Sequence, residues 1–252
     1  MPNAKKSIPP KATKKVVQHS LEDAVQSALA WLKRHSSKKT RDGMARYAIP
    51  SDNAFGVTMA NMKVLAKRLG RNHELATKLW DTGVYEARML ASLIDEPALV
   101  RPAQMDRWCR DFDNWGICDT VCFALFDRTP HAWIKVAQWR NRREEFAKRA
   151  AFALLWGLTV HDKMAKDEQF NQGLLFIERA ASDERHFVKK AVNMALRAIG
   201  KRNLALNAAA VAVARRLAAS TEAAPRWVGK DALRELTSPA LTRRLAARRR
   251  ST

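Results

Sequence analysis

The sequence predicts an all-α fold in which helix pairs stack into an α-solenoid. Apolar residues recur with the 3.6-residue period of amphipathic helices, and almost no segment alternates as a strand would. Glycine and proline, nine of each, stand mostly between the periodic segments. A weak repeat at steps of 31, 30 and 41 residues is the third observation. Repeats of this length in helical chains are typical of stacked helix pairs.

Each periodic segment predicts one helix. Cap-like residues stand near several starts, among them Ser20, Asn114 and Thr129, because such side chains accept hydrogen bonds from the free N–H groups of a first turn. The longest apolar run, residues 150–160, is too short to span a bilayer, so no membrane partner is expected. The predicted helices cover residues 21–35, 39–48, 58–69, 73–82, 84–94, 102–111, 115–126, 130–140, 145–158, 166–181, 185–199, 203–218, 226–236 and 239–249.

The repeat places charged residues at equivalent positions. Its pattern is an aromatic residue followed three residues later by a base, and it occurs in residues 85–90, 146–151 and 187–192, with a related segment from residue 116. We therefore expect one acid within a row of bases on one face of the solenoid. These equivalent residues are Arg88, Asp119, Arg149 and Lys190. The alternative is an irregular helical bundle in which the similarity arises by chance.

The chain is strongly basic, with 46 Lys and Arg against 25 Asp and Glu and a formal net charge of +21. Part of the excess lies in a predicted disordered N-terminal arm, residues 1–20, and a basic C-terminal tail, residues 239–252. The predicted solenoid domain between them, residues 21–238, is basic as well. Charge of this size favours DNA, RNA or an anionic membrane surface as the partner. It says nothing about the fold.

The three cysteines, Cys109, Cys118 and Cys122, are an odd set in a chain without a recognisable secretory signal. This favours a reducing, intracellular compartment. We expect a cytoplasmic, nucleoid-associated protein in a bacterium, or a nuclear one in a eukaryote. Cys118 and Cys122 have helical spacing but no well-placed histidine, which predicts buried thiols and no metal site.

Residues 114–119 carry the strongest functional signal. Trp115 and Asp119 lie four residues apart at a predicted helix start, so they share one helical face. An acid within a row of bases is suited to stabilising positive charge once a polyanion has bound. The alternatives are a structural ion pair for Asp119, a core position for Trp115 and a capping role for Asn114.

Three stretches resemble the HEAT-like-repeat DNA glycosylases of the AlkD-like DNA alkylation-repair family. The first joins Met44–Pro50, Phe55–Val57 and Leu65-Ala66, the second is Trp115 through Asp119, and the third comprises residues 146–155 and 187–199. The resemblance covers about residues 21–235. It implies HEAT-like helix pairs with a concave basic face. It also implies excision of alkylated purines, such as 7-methylguanine and 3-methyladenine, from duplex DNA in base-excision repair, without a cofactor.

The resemblance also assigns residues. Trp115 and Asp119 match the family's catalytic Trp and Asp, and Arg149 matches an Arg that binds DNA near the lesion. Met194 stands where catalytically active members typically carry a second Trp. The residues expected at double-stranded DNA, mainly at its phosphates, are Arg88, Lys148, Arg149, Lys189, Lys190 and Met194.

Two other functions remain open. Met194 favours a non-catalytic DNA- or RNA-binding protein that recognises damaged or branched structures. A protein-interaction scaffold is a further alternative because α-solenoids often bind peptides, although the net charge disfavours it. We expect a monomer in each case.

The residue types suit the implied chemistry. Breaking an N-glycosidic bond builds positive charge on the sugar, so a pre-organised negative group near C1′ and a positioned water accelerate it. Asp119 can supply the charge and orient the water, and the π-face of Trp115 can contribute roughly 0.5–2 kcal/mol toward a cation. We expect the neighbouring bases Arg88, Arg149 and Lys190 to lower the pKa of Asp119 and keep it ionised.

Overall fold

A computed structural model describes residues 12–249, and side chains within residues 21–247. All regular secondary structure in that part of the chain is helical, which confirms the all-α prediction. The chain divides between Asp95 and Glu96 into two compact units. Residues 1–11 of the predicted N-terminal arm and residues 250–252 of the predicted tail lie outside the described residues.

The N-terminal unit is a cluster of helices around α5. Helix α5 packs against α3 and α4, and α1 packs against α4 and α5. Its core includes Leu32, Leu79, Leu90 and Ile94, none of which is exposed. The helices are α1 (Ala12–Arg34), α2 (Lys38–Gly43), α3 (Met59–Leu69), α4 (His73–Asp81) and α5 (Tyr85–Ile94), with a 3₁₀ helix at Met44–Tyr47.

A buried carboxylate organises the loop before α3. Glu86 of α5 accepts hydrogen bonds from the backbone N–H groups of Phe55, Gly56 and Val57 at 2.9, 2.7 and 3.0 Å. Gly56 has φ +82°, and a Cβ there would lie 2.4 Å from the Ser37 carbonyl oxygen. Glycine is therefore needed both for its backbone conformation and for the close approach.

The C-terminal unit contains nine α-helices among the residues that the structure describes. They are α6 (Pro102–Arg110), α7 (Trp115–Ala124), α8 (Ala132–Trp139), α9 (Glu145–His161), α10 (Asp167–Ala180), α11 (His186–Ile199), α12 (Leu204–Ala218), α13 (Ala223–Leu236) and α14 (Pro239–Arg249), with a 3₁₀ helix at Phe126–Arg128. Helices α7, α9, α11 and α13 pack side by side in chain order. Helices α8, α10 and α12 pack against them as a second layer. This two-layer order is that of stacked helix pairs.

Helix α9 is the centre of this unit. It packs against α7, α8 and α11, and residues 150–155 on it are buried on every side. A helix that is apolar all round belongs in a protein core, which explains the apolar run of residues 150–160. Among the described helices, none combines the length and apolar character needed to cross a membrane.

The predicted cap residues have different outcomes. Asn114 is the N-cap of α7, because its side chain accepts a hydrogen bond from the Ile117 N–H at 3.0 Å. Thr129 is wrong as a cap of α8: that helix begins after His131, and the Thr129 hydroxyl donates to the Phe126 carbonyl oxygen. Ser20 is also wrong, because it lies inside α1. Helix α1 begins at Ala12, within the segment 1–20 for which the sequence predicts disorder.

The cysteines are core residues, as predicted. Cys109, Cys118 and Cys122 are buried and form no disulfide. Burial raises the pKa of the Cys109 thiol and of the Cys122 thiol well above the usual value. Such thiols are poor nucleophiles because the reactive thiolate is disfavoured.

Candidate functional site

The repeat register puts the predicted site residues at matching places on their helices. Asp119, Arg149 and Lys190 are each the fifth residue of α7, α9 and α11, and Arg88 is the fourth residue of α5. Because α7, α9 and α11 are neighbours in one layer, equivalent positions on them lie on adjacent helices.

Asp119 and Arg149 form a two-pronged ion pair between α7 and α9. Arg149 donates from Nε to Asp119 Oδ1 at 2.8 Å and from Nη2 to Asp119 Oδ2 at 2.6 Å. Parallel N–H···O bonds of this kind fix the orientation of both planes as well as their separation. The Asp119 side chain keeps 16% of its surface exposed, whereas that of Arg149 keeps 4%.

A third bond ties the pair to α11. Arg149 Nη1 donates to the backbone carbonyl oxygen of Phe187 at 2.7 Å, in the first turn of α11. That carbonyl belongs to the helix start, and the guanidinium reaches it across the layer. One side chain thus connects three successive helices.

This geometry differs from the exposed, DNA-facing base that the sequence predicts at Arg149. Its guanidinium is an internal partner of Asp119, and only 3% of the residue is exposed. The predicted role of Arg149 near a lesion stays a prediction, and here it would act by orienting Asp119. The structure contains the ion pair that the sequence analysis gives as an alternative role for Asp119.

The expected lowering of the pKa of Asp119 is wrong. Burial raises the pKa of this carboxyl above its ordinary value, and the charge and hydrogen bonds of Arg149 offset the rise only in part. Nearby bases lower the pKa of a carboxyl, but the loss of water around the Asp119 carboxylate has the larger effect. Arg149 itself has a raised pKa: burial opposes its charged form, but the charge of Asp119, its hydrogen bonds and smaller contributions from neighbouring thiols together outweigh that effect.

Two aromatic residues that we did not select from the sequence border the pair. The Phe146 and Phe187 ring centroids lie 5.4 Å apart, and Arg149 Cζ lies 6.0 Å from the Phe187 centroid. Both belong to the repeat pattern of an aromatic residue three positions before a base, so the sequence contained their signal. Met194, by contrast, follows Phe187 by seven residues, which is about two helical turns or 10 Å along α11.

Lys148, a predicted DNA contact, is engaged within the protein. Its ammonium lies 2.8 Å from Asp183, whose carboxylate also accepts from Arg185 at 3.0 and 2.7 Å. Burial alone would raise the pKa of Asp183, but the hydrogen bonds from Arg185 and Lys148 hold it well below the usual range. Only 18% of the Lys148 side chain is exposed.

Lys189 and Lys190 have a different environment. Their ammonium groups lie 5.4 and 5.3 Å from the centroid of the Trp227 ring on α13, and Lys190 is exposed. These distances are typical of cation–π contacts, which leave the ammonium able to meet a phosphate. In the N-terminal unit the half-buried Arg88 lies over Trp80, with 5.2 Å between Cζ and the ring centroid.

Trp115 is the first residue of α7 and is half-buried. The helical spacing puts it on the same face as Asp119. Within the described ranges, no group of three or more His, Cys, Asp or Glu side chains is arranged to hold a metal ion.

Comparison with known proteins gives two matches. The family model described as DNA alkylation repair enzyme matches residues 28–236. A solved structure superposes with a TM-score of 0.71 at 20% identity, covering 84% of this chain and 95% of that chain. It is described as belonging to a new family of proteins related to the HEAT-like repeat DNA glycosylases with affinity for branched DNA structures. The fold is therefore HEAT-like. No curated protein matches.

Proposed function

We propose that this chain, which belongs to the DNA alkylation repair enzyme family, is a DNA glycosylase. It removes cationic alkylated purines, such as 7-methylguanine and 3-methyladenine, from duplex DNA. It acts as an intracellular monomer that holds the duplex mainly by its phosphates.

The observation that carries this proposal is the fixed Asp119 carboxylate. Arg149 holds both of its oxygens, and the Phe187 carbonyl holds Arg149. A negative group held in place before the reaction need not reorganise as positive charge develops, which is how enzymes stabilise such transition states. Arginine cannot lose its proton in a protein, so its permanent charge favours the ionised form of the adjacent carboxylate and offsets part of the effect of burial on the pKa of Asp119.

The chemistry requires little else from the protein. The bond between C1′ and the purine nitrogen breaks, and its electron pair stays on the purine and cancels the positive charge there. Water then adds to C1′ of the cationic sugar and loses a proton, which leaves an abasic sugar and the free base. Asp119 stabilises the sugar cation and orients the water, and Trp115 presents its π-face to the same charge. No general acid is needed because the base leaves uncharged.

The test is release of bases from methylated duplex DNA, measured by chromatography against an enzyme-free sample. We expect 7-methylguanine and 3-methyladenine to appear faster than they are lost spontaneously. Asp119→Asn should slow release by at least about a hundredfold, which is typical when a transition-state electrostatic partner is removed.

A matched variant separates chemistry from folding. Asp106→Asn removes the carboxylate that lies 2.6 Å from buried Lys135 in the same unit, and it should excise at close to the normal rate when folded. Circular dichroism at the assay temperature reports the folded fraction of each variant. Release no faster than in the enzyme-free sample, or equal release by folded Asp119→Asn, contradicts the proposal.

A non-catalytic DNA-binding function is the second candidate. It is favoured by Met194, which stands where the resemblance leads us to expect a second Trp. Under this alternative, the protein binds duplex or branched DNA, but bases are released from methylated DNA no faster than in the enzyme-free sample.

A further inference from the structure

A basic cleft lies in the C-terminal unit, at the C-terminal ends of α9 and α11. Its volume is about 580 Å³, within the range of roughly 300–1,000 Å³ that holds small ligands in proteins. Trp156 on α9 stands two turns, about 10 Å, beyond Arg149 on the same helix. Its lining includes Trp156, Lys163, Lys201, Arg202 and Arg244.

The lining contains four bases and no acid. The Arg202 side chain forms part of the cleft wall. It is held there by hydrogen bonds that it donates to the carbonyl oxygens of Thr159, Asp162 and Ala165 at 2.9–3.0 Å. Lys201 lies 3.0 Å from Glu235. These two side chains are thus largely committed to the protein itself.

Lys163 and Arg244 are the available charges. Both are exposed, and no carboxylate among the described side chains lies within ion-pair distance of either. Arg244 is brought to the cleft by α14, which buries Leu241 and Leu245 and carries no acid. A cleft lined by charges of one sign concentrates the electric field and attracts ions of the opposite sign, so this recess favours an anion.

Trp156 supplies an aromatic wall. Its ring meets Phe123 edge-on, with centroids 4.4 Å apart and planes at 75°, which fixes the indole while it borders the cleft. Proteins hold single strands by combining basic side chains, which bind the phosphates, with aromatic side chains. Each unstacked nucleobase can stack on an aromatic ring. A continuous duplex offers no unstacked base.

We propose that this cleft binds a short single-stranded segment of DNA, with a base against Trp156 and phosphates at Lys163 and Arg244. The site is separate from the Asp119–Arg149 pair and independent of base excision. A protein that excises nothing would still hold the strand, so the two proposals fail separately.

The first test compares single-stranded and duplex DNA by fluorescence anisotropy. The probes are a fluorescein-labelled thymidine oligonucleotide of about 12 nucleotides, within the site sizes of single-strand binders, and a duplex of equal length. Lys163→Glu with Arg244→Glu should weaken single-strand binding at least about tenfold, because two phosphate contacts become repulsive. The affinity for the duplex should fall by a smaller factor.

The control reverses two other charges in the same unit. Arg110 and Arg215 are exposed and lie outside the cleft, so Arg110→Glu with Arg215→Glu changes the net charge equally. Equal losses for the two double variants, or equal losses for both probes, would overturn the proposal.

A cross-linking experiment tests Trp156 directly. An oligonucleotide with 5-bromodeoxyuridine is irradiated on the protein, and the tryptic peptide that contains Trp156 is examined by mass spectrometry. This peptide covers residues 150–163 in the unsubstituted protein and residues 150–166 in the Lys163→Glu, Arg244→Glu protein, which lacks the cleavage site at residue 163. We expect a cross-link at Trp156 that is lost in the Lys163→Glu, Arg244→Glu protein. Cross-links confined to other peptides would contradict the assignment even if affinity changes as expected.

Discussion

Equivalent positions in successive repeats hold side chains in opposite environments. Arg149 and Lys190 are both fifth residues of layer helices, yet Arg149 is buried against Asp119 and Lys190 is exposed above Trp227. The planar guanidinium can satisfy a carboxylate and a carbonyl at once, which makes its burial tolerable. A lysine ammonium is a compact point charge and lacks this planar arrangement of donors. At these two equivalent positions, the guanidinium is the buried group and the ammonium is the exposed one.

The Asp119–Arg149 pair should show strong coupling in stability. Asp119→Asn or Arg149→Met alone should each lower the free energy of unfolding by about 3–5 kcal/mol, because each leaves a largely buried charge without its partner. The double variant should cost less than the sum, with a coupling energy of about 1–3 kcal/mol. Urea unfolding of the four proteins measures this. Additive losses would mean that the pair contributes nothing as a pair.

Asp183 should make stability depend on pH. Its pKa is lowered in the folded protein, with Arg185 and Lys148 overcoming the effect of burial. The stabilisation is therefore complete above the unfolded pKa of about 3.9 and is lost as the pH falls toward the folded pKa. Asp183→Asn should lower the free energy of unfolding by about 1–3 kcal/mol at pH 7.

That difference should narrow below about pH 4, because the Asp183 carboxyl then takes up a proton in the unfolded chain while it stays ionised in the folded protein, which favours unfolding of the unsubstituted protein. The control is Asp42→Asn at the surface pair with Lys38, where the Asp42 side chain is 52% exposed and the cost should stay below about 1 kcal/mol. A loss for Asp183→Asn that is constant from pH 7 to about pH 3 would refute the ionic explanation.

At the scale of elements, α12 and α13 approach each other closely at Gly229. A Cβ at Gly229 would lie 2.2 Å from the backbone nitrogen of Ala218 and 2.5 Å from the Ala214 carbonyl oxygen. Gly229→Ala should therefore lower the free energy of unfolding by at least about 2 kcal/mol, since backbone atoms cannot turn aside. Thermal unfolding measures the loss.

Gly43→Ala is the matched control for Gly229→Ala. Gly43 has helical φ and ψ of −70° and −20°, and a Cβ there would meet nothing within 4 Å. This change should be neutral or stabilising by up to about 1 kcal/mol. If both variants lose the same stability, the cost comes from losing glycine and not from the helix contact.

The helical period was enough to predict most elements of this fold. The predicted segment 73–82 is α4 at His73–Asp81, and 203–218 is α12 at Leu204–Ala218, because both have clear apolar faces and an Asn cap. The failures have physical reasons. Thr129 has the side chain of a cap, but its hydroxyl bonds backward to the preceding 3₁₀ helix. Local spacing likewise could not reveal that Asp119 would be covered, because burial depends on how α7, α9 and α11 pack.

At the scale of the whole molecule, the net charge of +21 should make DNA binding strongly dependent on salt. Each phosphate contact releases counterions, so the logarithm of the affinity falls linearly with the logarithm of the salt concentration. Lys189→Gln with Lys190→Gln should reduce the slope for duplex DNA by about 1.8 if both lysines contact phosphates.

Titrations between about 50 and 200 mM salt measure the slope. Arg110→Gln with Arg215→Gln is the matched pair, because it removes the same charge from exposed positions outside the predicted interface. The two double variants should differ in slope. Identical slopes would place Lys189 and Lys190 away from the phosphates.

The ion pair between Asp119 and Arg149 has a consequence for inheritance. A lineage that loses either residue leaves a buried charge behind, so selection for folding alone preserves both, even in descendants that no longer excise bases. Retention of the pair among relatives then records ancestry and structural need.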